Sequence, residues 1–124
     1  MFDRRAIAIL DSGVGGLTVV KELLRQLPGE RLLYFGDTAR APYGSRSVEE
    51  IRNFVEQIVG FLMPYDPKMI VIACNTATAV ALERIRELVT VPVLGVIEPG
   101  ARAAVERTRI GRIGVIGTER TIQS

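Results

Sequence analysis

Ala6-Ile7-Ala8-Ile9-Leu10-Asp11-Ser12-Gly13-Val14-Gly15-Gly16 decides the fold. Its first five residues are a continuous apolar run, the pattern of a parallel strand covered on both faces. The next six hold an acid, a hydroxyl and three glycines, a tight turn that lets a ligand approach the main chain. Leu17, Val20, Leu23, Leu24 and Leu27 then recur at helical spacing until Pro28-Gly29 stops the pattern. This is a strand delivering polar side chains to the start of a helix.

The same unit recurs along the chain. Arg31 to Phe35 reads as a second strand, followed by a polar loop to Arg46, and Ser47-Val48-Glu49-Glu50 has the form of a capping box opening a helix to about Met63. Met69 to Ala73 reads as a third strand, Thr76 to Val89 as a helix and Val91 to Ile97 as a fourth strand. Pro99 to Arg107 reads as a helix with proline in its first turn, and Ile113 to Gly117 as a fifth strand. Alternation of this kind predicts an α/β fold, an open parallel sheet with helices on both faces in a Rossmann-like three-layer arrangement, with right-handed crossovers. The order of the strands is not legible at this stage. Gly117 to Thr121 looks like a loop opening another helix, and a fifth strand without its covering helix would expose apolar surface at about 25 cal/mol per Å². That imbalance predicts a truncated protein.

Composition narrows the chemistry. The chain has 124 residues, 48% hydrophobic and 24% charged, as in an ordinary globular domain. No apolar run approaches the roughly 18–20 residues of a membrane helix, and Met1-Phe2-Asp3-Arg4-Arg5 lacks a signal-peptide pattern, so a cytoplasmic protein without a membrane partner is expected. A net charge of +2, with the arginines spread along the chain, speaks against nucleic acid as a partner. One cysteine excludes an internal disulfide, and the lack of histidine argues against a protein metal site.

Cys74-Asn75-Thr76-Ala77-Thr78 follows the third strand as Asp11-Ser12 follows the first. In open α/β sheets ligands bind at the carboxyl edge, so an acid and a thiol distant in sequence can face one pocket. Taken alone, a cysteine after a buried strand is an inert core residue. Its neighbours change that balance: Asn75, Thr76 and Thr78 are polar, and a helix N-terminus stabilises a thiolate and binds anions. Asp11 reads equally as a helix cap or as a partly buried carboxylate suited to accepting and returning protons, and Ser12 as a cap. Pro42-Tyr43-Gly44 is a turn by composition, or a loop whose tyrosine hydroxyl and glycine N–H close over a small ligand. Thr118 and Thr121 are either cap residues or hydroxyls that reach a substrate. Gly13-Val14-Gly15, with Asp37 after the second strand, also imitates a dinucleotide-binding fingerprint, but Thr18 stands where its third glycine belongs. No Walker lysine is present, which excludes a P-loop.

Taken together, Ile9 to Thr18, Tyr34-Phe35-Gly36-Asp37 to Pro42-Tyr43-Gly44, Cys74-Asn75-Thr76-Ala77 and Gly117-Thr118 closely resemble glutamate racemases of the aspartate/glutamate racemase family. The resemblance implies interconversion of L- and D-glutamate without any cofactor, supplying D-glutamate for peptidoglycan. It implies two thiols on opposite faces of the substrate, with Cys74 acting on the D-isomer and Asp11 assisting it. Ser12, Pro42, Tyr43, Gly44, Asn75, Thr76, Thr118 and Thr121 would then hold glutamate. It further implies a homodimer and two similar lobes, with residues 1–98 forming the first and 99–124 beginning the second. The family's second cysteine, beside a Cys-Thr-His stretch, has no counterpart here, so the expectation is half of an active site. The alternative is a Rossmann-like nucleotide or amino-acid binding module in which Cys74 is structural.

Overall fold

The computed structural model describes residues 2–124. Four parallel strands, β1 (Ile7–Asp11), β2 (Leu32–Gly36), β3 (Met69–Ile72) and β4 (Val93–Gly95), form one sheet in the order β2-β1-β3-β4. Helices α1 (Leu17–Gln26), α2 (Val48–Leu62), α3 (Asn75–Leu88), α4 (Ile97–Arg107) and the short α5 (Glu119–Ile122) complete the chain. The expected α/β class and layering are therefore present.

Alternation along the strands creates two cores. Ala8 and Leu10 of β1, with Ile70 and Ile72 of β3, pack with Ile51, Val55, Ile58 and Leu62 of α2 and with Ala77, Ala81 and Ile85 of α3. Ile7, Ile9, Val71 and Ala73 point the other way and are covered by Val19, Val20 and Leu23 of α1. The chain moves from β1 to β2 in one direction across the sheet and from β2 to β3 to β4 in the other. The covering helix changes face at that reversal, as a single crossover hand requires.

Local chemistry sets the joints. Ser47 and Glu50 form the predicted capping box, with Glu50 N–H donating to Ser47 Oγ at 3.2 Å and Ser47 N–H to Glu50 Oε2 at 2.9 Å. Thr78 Oγ1 donates to the Ile72 carbonyl at 3.1 Å and accepts from Val96 N–H at 3.4 Å, pinning α3 between β3 and the end of β4. Gly95 must be glycine there, because a Cβ would collide with the Thr78 methyl group. At the amino-terminal edge Lys68 Nζ donates to the Asp3 carbonyl at 2.8 Å and pairs with Glu30, joining the segments that lead into β1, β2 and β3.

The fifth strand does not form. Residues 112–118 carry no strand pairing, and Ile113, Val115 and Ile116 are exposed. Gly111, at φ +70°, turns the chain after α4, and Thr118 is then held over the start of α3 by Thr76 rather than beside β4. The expected fourth strand is also shorter, because α4 begins at Ile97, two residues before Pro99. The expected boundary between residues 98 and 99 falls inside this helix.

Ile72 is fully buried on an inner strand. Replacement by alanine is expected to cost about 2–5 kcal/mol in urea unfolding, the range for removing a large buried aliphatic side chain.

Candidate active site

The connections of β1 and β3 leave in opposite directions, the reversal that sets a crevice beyond the carboxyl ends of such sheets. In doubly wound sheets this reversal is where ligands bind. The pairing of β1 with β3 extends to Ala73 N–H, which donates to the Leu10 carbonyl at 2.8 Å. One residue further on, the Cys74 thiol donates to Ser12 Oγ at 3.3 Å across 62 residues of sequence.

Cys74 caps α3, its Sγ accepting the Ala77 N–H at 3.4 Å. The cap keeps sulfur at the helix N-terminus, beside the free N–H groups of its first turn. Should the thiol lose its proton, the Ser12 hydroxyl can reverse and donate to sulfur. Cys74 is half-buried.

Asp11 ends β1 and is 4% exposed. Its Oδ2 accepts the Gly16 N–H at 2.6 Å. The Tyr34 hydroxyl, from β2, lies 3.0 Å from Oδ2 and 3.0 Å from the Gly13 carbonyl oxygen. Burial, with the hydrogen bond to Asp11 adding to it, pushes the Tyr34 hydroxyl up to about 12. Gly16 has to lack a side chain: a Cβ would lie 2.7 Å from Asp11 Oδ2 and 3.0 Å from Ala73 Cβ. The carboxylate thus occupies the amino end of α1, where a dinucleotide would need to set its pyrophosphate. That geometry overturns the nucleotide-binding reading of the glycine turn.

A row of hydroxyls closes one side. Thr76 is buried and its Oγ1 lies 2.7 Å from Thr118 Oγ1, which is 3.1 Å from Thr121 Oγ1. Gly44 packs against Thr118, whose methyl group would be 2.9 Å from a Cβ at that position. Asn75 is exposed in the first turn of α3. Cys74, Ser12 and Asp11 therefore cluster at the crevice, while Gly44, Thr76, Thr118 and Thr121 meet beside it.

Tyr43 behaves differently from the expected loop residue. It is 2% exposed, and its hydroxyl donates to Asp37 instead of reaching outward. Burial, reinforced by Asp37, holds this hydroxyl well above the ordinary phenol value. Arg40 Nε donates to the same carboxylate at 2.7 Å while its guanidinium lies 4.1 Å from the centre of the Phe54 ring. The side chain of Tyr43 anchors the loop, with exposed Pro42 and half-buried Gly44 on either side. Tyr34 and Arg40 were not foreseen, because their partners follow from strand register and loop path.

Residues 7–124 match the family model of Asp/Glu/hydantoin racemases. The chain belongs to this family. A glutamate racemase from Streptococcus gordonii is 62% identical over 122 residues, covering 98% of this chain and 46% of that protein. A glutamate racemase isoform from Bacillus anthracis superposes with a TM-score of 0.94 at 54% identity, over 98% of this chain and 46% of that structure. The Francisella tularensis enzyme, solved in complex with D-glutamate, gives 0.89 at 42% identity over the same shares. This racemase-family chain thus spans less than half the length of the relatives it matches.

Two measurements test the geometry. Gly16→Ala is expected to destabilise the fold by about 1–3 kcal/mol in denaturant unfolding, the cost of overpacking against the carboxylate and Ala73. For Tyr34 the folded value lies above the unfolded one, so the associated stability is present below pH 10 and lost as pH rises through about 12. Alkaline unfolding followed by circular dichroism should therefore be steep in this window, and shallower in Tyr34→Phe.

Proposed function

We propose that this chain supplies one acid–base face of a cofactor-independent glutamate racemase, which interconverts L- and D-glutamate and provides the D-isomer for peptidoglycan. The observation that carries the reading is the half-buried Cys74 thiol at the reversal point of the sheet, held by Ser12 and Ala77 beside buried Asp11. Its support is the close similarity to glutamate racemases over 98% of the chain.

In this reading Cys74, as thiolate, takes the α-proton of D-glutamate. The electron pair left on Cα spreads into the substrate carboxylate, and a proton arrives from an acid on the opposite face. Such a carbon acid is weak, so the developing charge needs donors arranged around the carboxylate. The amino end of α3 and the hydroxyls of Ser12, Thr76, Thr118 and Thr121 are suited to this, with Asn75 and the Pro42-Tyr43-Gly44 loop completing the substrate contacts. Asp11 takes up the proton of Cys74 and returns it. The sequence has one cysteine, so the opposing acid is not a second cysteine of these residues. We assign residues 1–98 to the first lobe, residues 99–124 to the beginning of a second, and the protein to the cytoplasm as a homodimer. The described residues contain no helix long and apolar enough to cross a membrane.

Proton NMR of the chain with D-glutamate in heavy water provides the test. Loss of the α-proton signal without inversion, abolished in Cys74→Ser, is the expected outcome. A chain that exchanges no proton, and whose affinity for glutamate is unaltered by Cys74→Ser, would instead be a binding module.

A further inference from the structure

The two oxygens of Asp11 are not equivalent. Oδ2 takes the Gly16 N–H at 2.6 Å and faces the Tyr34 hydroxyl at 3.0 Å, whereas Oδ1 has no hydrogen-bond partner among the described residues. Among the described residues no fully buried side-chain oxygen or nitrogen lacks a partner, so Oδ1 must reach solvent although Asp11 as a whole is 4% exposed. We propose that Tyr34 is a positioning residue for Asp11: with the Gly16 N–H it holds Oδ2, leaving Oδ1 as the oxygen that exchanges protons at the crevice. This rests on the reading of Asp11 as the carboxylate that assists Cys74.

The sheet is built for this contact. Asp11 is in register with Gly36 and Ile9 with Tyr34, so the phenol lies diagonal to the carboxylate on the face covered by α1. Gly36 leaves the passage open, since a Cβ there would sit 2.5 Å from the Gly13 oxygen and 3.1 Å from the Tyr34 hydroxyl. By approaching both Gly13 and Asp11, the hydroxyl couples the path of the glycine turn to the orientation of the carboxylate. A group held up to about 12 keeps its proton throughout the neutral range and remains a donor. Of the other titratable side chains nearby, Asp37 is turned to Tyr43 and Arg40, and Cys74 donates to Ser12. With its own bond to Tyr34 removed, the carboxylate is held by one donor and is free to turn.

The test compares the unmodified chain, Tyr34→Phe, Asp11→Asn and the double variant, using hydrogen exchange of the Gly16 amide and α-proton exchange of D-glutamate. Tyr34→Phe is expected to speed Gly16 amide exchange about tenfold. It should lower the maximal α-proton exchange rate about tenfold with KM within about a factor of two, and cause no further loss in the Asp11→Asn background. A lowered melting temperature with an unchanged maximal rate, or an undiminished effect of Tyr34→Phe in that background, would overturn the assignment and leave the racemase reading standing. Absence of α-proton exchange in the unmodified chain, with an affinity for glutamate unaltered by Cys74→Ser, would overturn the racemase reading instead. The Tyr34 anchor is then decided by the Gly16 amide alone, faster exchange in Tyr34→Phe supporting it and unchanged exchange overturning it.

Discussion

The pairing of β1 with β3 is the constraint on which the site depends. Two strands far apart in sequence lie side by side, and their chains then leave toward opposite edges of the sheet. Backbone hydrogen bonding carries the register to the Ala73 N–H and the Leu10 carbonyl, so the next residues of each chain must meet. Acid, hydroxyl and thiol come together through main-chain geometry before any side-chain contact forms. The side chains refine the arrangement: Ser12 touches sulfur, and Gly16 admits the carboxylate to the end of α1.

Much of this was legible in the sequence because apolar periodicity and turn chemistry agree. The run from Ala6 to Leu10 could only be a strand covered on both faces, and Ser47 with Glu50 marks the start of α2 without ambiguity. Asp11 and Cys74 stand out because polar groups directly follow apolar runs. What stayed hidden depends on partners that pattern alone does not supply. Ile113 to Gly117 has the composition of a strand and β4 offers an open edge, but Thr118 is drawn to Thr76 over α3 and the segment makes no strand pairing. Tyr43 has the composition of a lid, yet Asp37 and the packing around Phe54 turn its hydroxyl inward. Tyr34 reads as an ordinary aromatic strand residue until the register with β1 places it beside Asp11.

The proposed racemase reading gives these contacts a common chemical purpose. In the proposed reaction, deprotonation at carbon needs a base, a proton store and stabilisation of charge on the substrate carboxylate, and these are drawn from three elements. Sulfur comes from the start of α3, the carboxylate from the end of β1, and hydroxyls from α3 and the start of α5. Rigid elements hold all three, a precondition for moving a proton over a short, fixed path.

The Lys68 junction lies at the other edge of the sheet, where it ties together the approaches to β1, β2 and β3. One rim is thereby braced by a side chain that joins three segments, while the other carries the candidate site. Side chains at the carboxyl rim that carry no joint of the fold, unlike Gly16, Thr78 and Gly95, can be exchanged while the braced rim keeps the strands assembled. A scaffold divided in this way can diversify its chemistry while its architecture persists.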